Sequence, residues 1–125
     1  MSLTSLRYLL VVPDSAWPSE WLRAALPLCV LAVVAEEETY GYAIAQRLRA
    51  AGLGTVKGGT LYPMLNRLEQ EGLLRSSWRE GAGGPGRKFF AVTAAGRAEL
   101  PGRTAAWREF TERAIALLPS LEDAR

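Results

Sequence analysis

A glycine-rich run, GAGGPG at residues 81–86, has the spacing G-x-G-x-x-G that is found in loops binding dinucleotide phosphates. Cations stand beside it, with Arg79 before the run and Arg87 and Lys88 after it. A dinucleotide-binding loop lies between a strand and the N-terminus of a helix, which holds the pyrophosphate. The segment that follows here, RKFFAVT, alternates as a strand does. We therefore predict a flexible hairpin tip with basic flanks rather than a nucleotide site.

Other residue types that perform catalysis or bind metals are scarce. The chain has no histidine, which removes Ser-His-Asp and Cys-His catalysis and nearly all zinc and iron sites. The one cysteine, Cys29, lies in an apolar stretch and is expected to pack in the core, in a reducing compartment. Three consecutive carboxylates, Glu36 to Glu38, point in different directions on a helix and indicate a solvated helix end. We predict no enzyme activity, no cofactor and no metal.

The size and hydropathy of the chain predict one compact domain. Its 125 residues are 49% hydrophobic, which is enough to bury a single core. The longest apolar stretch, residues 22–35, is short of the ~20 residues that a membrane-spanning helix needs. The first residues lack a convincing apolar leader with a cleavage site. These features predict a cytoplasmic protein that does not enter a membrane.

The net charge of +2 is unevenly distributed along the chain. Residues 40–92 contain eight lysines and arginines against three glutamates, whereas the remainder contains seven basic and ten acidic residues. The basic charge is therefore concentrated around the glycine-rich run. Such a concentration is expected of a surface that binds a polyanion.

The first third of the chain is interrupted by prolines. Residues 1–20 are predicted to form an appendage that packs on the core or on a second subunit. A helical pattern follows from Ser19, a plausible N-cap, to about Glu37. Because a proline inside a helix loses a hydrogen bond and clashes with the preceding turn, Pro27 favours two short helices over one kinked helix.

The middle of the chain predicts a helix-turn-helix. Thr39 can cap a second helix, and Gly52 can end it. A third helix, which Gly72 ends, has a core face formed by Leu61, Met64, Leu65 and Leu68. Its opposite face carries Gly59, Pro63, Asn66 and Gln70, with Tyr62 and Arg67 on its flanks. Pro63 is expected near the helix N-terminus, where it costs little, and the short side chains let this face approach a surface closely.

Two strands and a terminal helix complete the pattern. The segments LLRSSWRE and RKFFAVT predict an antiparallel hairpin, a basic wing behind the third helix. From Thr93 a helix is expected that Pro101-Gly102 interrupts and that resumes from Arg103 to Leu118. Its apolar stripe must be covered by a second copy of the chain or by folding back on its own domain; the stripe consists of Trp107, Phe110, Ala114, Leu117 and Leu121.

Three blocks of the sequence resemble the PadR-like family of transcriptional regulators: YGYAIAQRL at 40–48, GTLYPMLNRLEQEGLL at 59–74 and GGPGRKFFAVTAAGR at 83–97. The similarity extends over about residues 22–118, and the G-T-L-Y-P block followed by a G-P-x-R-K wing is specific. It implies a bacterial repressor that binds an inverted-repeat operator as a homodimer through a winged helix-turn-helix. The family usually keeps its terminal helix continuous, so Pro101-Gly102 is a departure.

The resemblance also implies where double-stranded DNA is bound. The matching positions are Tyr40, Tyr42, Thr60, Tyr62, Pro63, Arg87 and Lys88. From its place on the third helix, Asn66, with Arg67 or Gln70, would reach base edges in the major groove. Lys57 would join Tyr62 and the two wing cations at phosphates.

The terminal helix carries the expected dimer interface. Some of the smaller members of the family bind flat aromatic compounds in a dimer-interface cavity lined by tryptophan, and the resemblance makes Trp107 the candidate for such a ligand here. A purely structural dimer-core tryptophan is the alternative. The residues that would form the effector site or the dimer interface are Trp107, Phe110, Ala114 and Leu117.

The expected fold is mostly α-helical with a small antiparallel β-hairpin. It comprises an N-terminal extension (residues 1–20), a winged helix-turn-helix domain (21–97) and a C-terminal dimerisation helix (98–125). Winged helices also serve as protein interaction modules without an operator, so the fold alone does not decide the function. The basic segment and the acid-poor outer face of the third helix favour DNA.

Overall fold

The computed structural model describes residues 17–81, 84–120 and 122, and residues 1–16 of the expected N-terminal extension (residues 1–20) lie outside this part. The elements found there run in the order α1 (Ser19–Glu36), β1 (Thr39–Tyr40), α2 (Gly41–Ala50), α3 (Gly58–Gln70), β2 (Leu74–Arg79), β3 (Arg87–Val92) and α4 (Ala94–Leu117). The predicted fold class, mostly helical with a small antiparallel β wing, is confirmed. No helix among the described residues is long and apolar enough to span a bilayer.

The hairpin of β2 and β3 forms as predicted, and its register places Trp78 opposite Lys88. We name β2, β3 and their connecting loop the wing. A third strand was not predicted: β1 pairs antiparallel with β3, with Thr39 opposite Phe90. The prediction of Thr39 as a helix cap is therefore wrong, because its backbone belongs to the sheet and Tyr40 is the N-cap of α2.

One hydrophobic core joins the helices to the sheet. Alternation along β3 turns Phe90 inward, where it is fully buried. The third helix presents the predicted face, since Leu61, Leu65 and Leu68 are buried and Met64 packs against the core. Cys29 also packs against this core, as predicted.

Two glycines end the helices of the helix-turn-helix as predicted. Gly52 after α2 and Gly72 after α3 have φ of +89° and +80°, which side chains with a Cβ rarely adopt. The amide of Leu53 donates to the Leu48 carbonyl (3.1 Å), which closes the hydrogen-bonded C-cap of α2. The turn between α2 and α3 is thus fixed by backbone geometry.

The predicted helix breaks at Pro27 and at Pro101 are both wrong. Each proline lies inside a continuous helix, Pro27 in α1 and Pro101 in α4. In α1, Leu26 and Val30 on either side of the proline are buried, and this burial outweighs one lost hydrogen bond. In α4 the Arg103–Glu99 ion pair (2.8 Å) spans the proline.

Two expectations about helix starts also fail. Ser19 is the first residue of α1 rather than its cap, because Pro18 occupies the N-cap. Pro63 is the sixth residue of α3, beyond the first turn, so it does forfeit a hydrogen bond within the helix. The Pro63 ring is exposed. Gly59, one turn earlier, is also exposed and has no side chain that could crowd the ring.

The terminal helix α4 leaves the core after its first turns. Gly96 is buried against β3 and Leu100 packs against the core, whereas Phe110 and Leu117 are 63% and 87% exposed. Glu109 and Arg113, one turn apart on this exposed part of α4, form an ion pair at 2.7 Å. The apolar stripe is therefore not folded back as internal core of the same chain. Leu121, its last member, lies outside the described residues.

Candidate nucleic-acid interface

The outer face of α3 is exposed and carries short or uncharged side chains. Gly59, Pro63 and Asn66 face solvent, as predicted, and Gln70 continues this face at the helix end. The first turn has no acidic residue. Its amides and the positive end of the helix dipole are therefore not opposed by local negative charge. A negatively charged surface can approach this face closely.

Tyr62 is positioned by a glycine in the preceding helix. Its ring lies over Gly41, the first residue of α2, and a Cβ at that position would be 2.6 Å from Cζ of the tyrosine. The glycine therefore allows the phenol to cross from α3 to the start of α2, and Tyr62 remains 44% exposed. Sequence reasoning missed Gly41 because the contact joins two helices. The Y-G-Y order alone gives no sign of it.

The two predicted wing cations have different surroundings. Arg87 is exposed and its guanidinium lies 4.6 Å from the ring centroid of Tyr40. Lys88 is half-buried on the side of the wing facing α3, and its Nζ is 3.8 Å from Glu69 Oε1. Arg87 thus offers a cation held by an aromatic ring, whereas part of the charge of Lys88 is balanced within the chain.

Glu69 ties the wing to α3. Besides its ion pair with Lys88, its Oε2 accepts a hydrogen bond from the Ser76 hydroxyl at 2.6 Å. The carboxylate on the helix thus contacts both strands of the wing. This part of the site was missed, because the register of two strands against a helix is not visible in the local sequence pattern. The carboxylate therefore links the wing to the helix.

A surface cleft of about 510 Å³ separates α3 from the wing. We name it the helix–wing cleft, and its lining residues are Tyr40, Tyr42, Tyr62, Asn66, Trp78, Gly86, Arg87 and Lys88. Six of the residues predicted to bind DNA meet here. Hydroxyls, one carboxamide and two cations supply hydrogen-bond donors for phosphate and base acceptors.

The remaining predicted residues lie elsewhere on α3 or, in the case of Lys57, at its N-cap. Four of them line a second cavity, of about 460 Å³, between α3 and α1: Lys57, Thr60, Pro63 and Arg67. Gln70 lines neither cavity. The predicted set therefore divides between the two sides of one exposed helix rather than forming one pocket.

Two other residues singled out from the sequence, Cys29 and Trp107, lie outside the two cavities around α3. Burial raises the pKa of the Cys29 thiol, which keeps it protonated and suits a packing role. On α4 the ring centroids of Trp107 and Phe110 are 5.8 Å apart. Trp107 lines neither of the two cavities around α3. Across the described residues no cluster of three potential metal ligands is present.

Comparisons with known families, sequences and structures find transcriptional regulators. The family model of the transcriptional regulator PadR-like family matches residues 30–101. The transcriptional regulator Rv3488 of Mycobacterium tuberculosis is 43% identical over 81 residues, which are 65% of this chain and 74% of the relative. The crystal structure of a PadR family regulator from Eggerthella lenta has a TM-score of 0.72 at 35% identity, and the match covers 81% and 88% of the two chains.

The chain belongs to the PadR-like family of transcriptional regulators. The resemblance inferred from its motifs is thereby confirmed, and proteins of this class regulate transcription and are not enzymes. Bacillus subtilis PadR, whose structure was solved in complex with operator DNA, shares the fold at 22% identity with a TM-score of 0.58. That match covers 63% of this chain and 45% of the other.

Proposed function

We propose that this chain is a cytoplasmic homodimeric repressor that binds an inverted-repeat operator with α3 and the wing. The observation that carries the proposal is the helix–wing cleft, where six residues selected from the sequence lie together beside an acid-poor helix face. Membership of a family of transcriptional regulators supports the same function.

The proposed complex places α3 in the major groove. Asn66 is exposed on the outer face and can pair with an adenine edge, and Arg67 or Gln70 can reach neighbouring bases. Phosphates would be bound on both sides of the helix, by Lys57 beside α1 and by Tyr62 and Arg87 in the cleft. The phosphate contacts position the helix, and the base contacts select the sequence.

The proposed dimer forms through α4. Phe110 and Leu117 are exposed in the single chain, and Trp107 contacts Phe110, so an apolar surface is available on this helix. A second copy would bury it and place two α3 helices on half-sites one helical turn apart. A flat aromatic effector near Trp107 would release DNA by altering that spacing, with a purely structural tryptophan as the alternative.

The test is selection of bound duplexes from a random-sequence library by the purified chain. We expect enrichment of an inverted repeat whose half-site centres are ~10 base pairs apart. Binding should weaken steeply with added salt, because phosphate contacts release counterions. A protein interaction module would show neither result, and failure to enrich any sequence together with salt-insensitive binding would overturn the proposal.

A further inference from the structure

Trp78 lies on the side of the wing that faces α3. Along β2, Leu74 is buried in the core and Ser76 bonds Glu69 of α3, so the alternation of the strand puts Trp78 on the same face. Beyond the core, no helix in the described part of the chain covers this face, and Trp78 is 72% exposed. Its cross-strand neighbour is Lys88.

In the part of the chain that the structure describes, the indole of Trp78 contacts no other aromatic ring. The ring pairs found there join Trp17 with Trp21, Tyr40 with Phe89, and Trp107 with Phe110. Trp78 instead forms one wall of the helix–wing cleft, opposite Tyr62 and Asn66. A large exposed apolar ring in a basic cleft indicates a contact with a partner that has both apolar and anionic parts.

The geometry of a winged helix on DNA gives that partner. With α3 in the major groove and the wing beside it, the backbone between the major and minor grooves has to pass between helix and wing. That backbone alternates deoxyribose, which is largely apolar, with phosphate. The cleft has a group for each part of this backbone. The Trp78 ring can pack against the sugar, and the Tyr62 hydroxyl and the Arg87 guanidinium can donate hydrogen bonds to the phosphate.

We propose that the helix–wing cleft receives a single sugar–phosphate strand of the duplex and that Trp78 packs against a deoxyribose there. The indole N–H lies at the polar edge of the ring and can donate to a phosphate oxygen. This contact reads no base, so it adds affinity for every sequence. The proposal rests on the proposed DNA-binding function and adds a residue and a location to it.

The test compares Trp78→Ala with Trp21→Ala, using a labelled random-sequence duplex. Trp21 is a suitable control because it is also exposed and lies on α1, outside the cleft. We expect Trp78→Ala to bind about tenfold more weakly, which corresponds to ~1.4 kcal/mol, and Trp21→Ala to bind as the unchanged protein does. The dependence on salt should keep its slope, since no charge is lost.

A second measurement does not depend on affinity. Addition of saturating duplex should change the tryptophan emission of the unchanged protein and of Trp21→Phe, and Trp78→Phe should lose most of this change. Equal affinities of the unchanged protein and Trp78→Ala, or an emission change that persists in Trp78→Phe, would overturn the role of Trp78 alone. If the unchanged protein binds no duplex, the proposed function fails and this inference with it.

Discussion

Replacing Gly41 with alanine should weaken DNA binding while leaving the fold intact. The new Cβ would overlap the phenol oxygen of Tyr62 and lie 2.6 Å from its Cζ and 3.1 Å from its Cε1. These atoms are at the far end of a half-exposed side chain, so the ring can swing away without moving either helix. The substitution therefore displaces Tyr62 from the helix–wing cleft.

The magnitudes of the two effects differ. Displacing the ring costs little, and alanine gains up to ~1 kcal/mol over glycine in a helix, so the free energy of unfolding should change by no more than about 1 kcal/mol. A hydrogen bond to a charged group is worth ~1.5–3 kcal/mol. If Tyr62 binds phosphate, the dissociation constant should rise roughly 10- to 100-fold.

The assay measures fluorescence anisotropy on the selected duplex and the free energy of unfolding in urea. Gly102→Ala is the matched control, because it is exposed on α4 and, apart from its chain neighbours and the backbone of its own helix, no heavy atom lies within 4 Å of the position that an alanine Cβ would take there. We expect this control to bind DNA normally. In the Tyr62→Ala background, Gly41→Ala should cause no further loss, since the two changes act on one contact. Unchanged affinity in Gly41→Ala would refute the phosphate role of Tyr62.

Four further outcomes are expected. Asn66→Ala should cost ~1–3 kcal/mol on the selected duplex and much less on random DNA; equal losses would remove Asn66 from base recognition. Arg87→Ala with Lys88→Ala should flatten the slope of log affinity against log salt by up to about two units, and an unchanged slope would exclude the wing from phosphate contacts. Phe110→Glu should convert a dimer into a monomer in sedimentation, whereas a monomeric unchanged protein at micromolar concentration would contradict the dimer. Gly96→Ala should destabilise the fold by ~1–3 kcal/mol in urea unfolding, because its Cβ would meet the Leu73 carbonyl; a stable variant would show that the backbone yields there.

The parts of the fold that the sequence predicts are those set by local periodicity. Leu61, Leu65 and Leu68 recur at helical spacing, and this alone identifies the core face of α3 and, by difference, the exposed face. Gly52 and Gly72 are equally local signals, because a helix end with φ near +80° to +89° strongly favours glycine.

The local sequence does not predict whether a helix continues through a proline. Locally a proline costs a helix about 3 kcal/mol, which predicts a break at Pro27. Leu26, Val30 and Leu31 are buried by other elements, and each contributes ~1.5–3 kcal/mol only if the helix stays continuous. The balance between the cost of the proline and the free energy of burial depends on tertiary packing, which a local stretch of sequence does not show.

The site residues that were missed depend on the same long-range information. The sequence shows Glu69 only as one of the three glutamates in residues 40–92, and its bonds to Ser76 and Lys88 require the wing to dock on α3. Gly41 bears on the proposed site only because Tyr62 crosses it, and Trp78 only because its strand register points it into the cleft. The predicted residues supply most of the hydrogen-bonding groups of the cleft, whereas the missed Gly41 and Glu69 position Tyr62 and the wing.

The chemistry of the exposed apolar residues separates two surfaces of the chain. Those of the cleft, Tyr42, Tyr62 and Trp78, each carry a hydrogen-bonding group at the edge of a ring. Those near the end of α4 have none: Phe110, Ile115, Leu117 and Leu118. A ring with a polar edge suits a hydrated, anionic partner, whereas purely apolar side chains gain only from a surface that excludes water. This division supports DNA as the partner of the cleft and protein as the partner of α4.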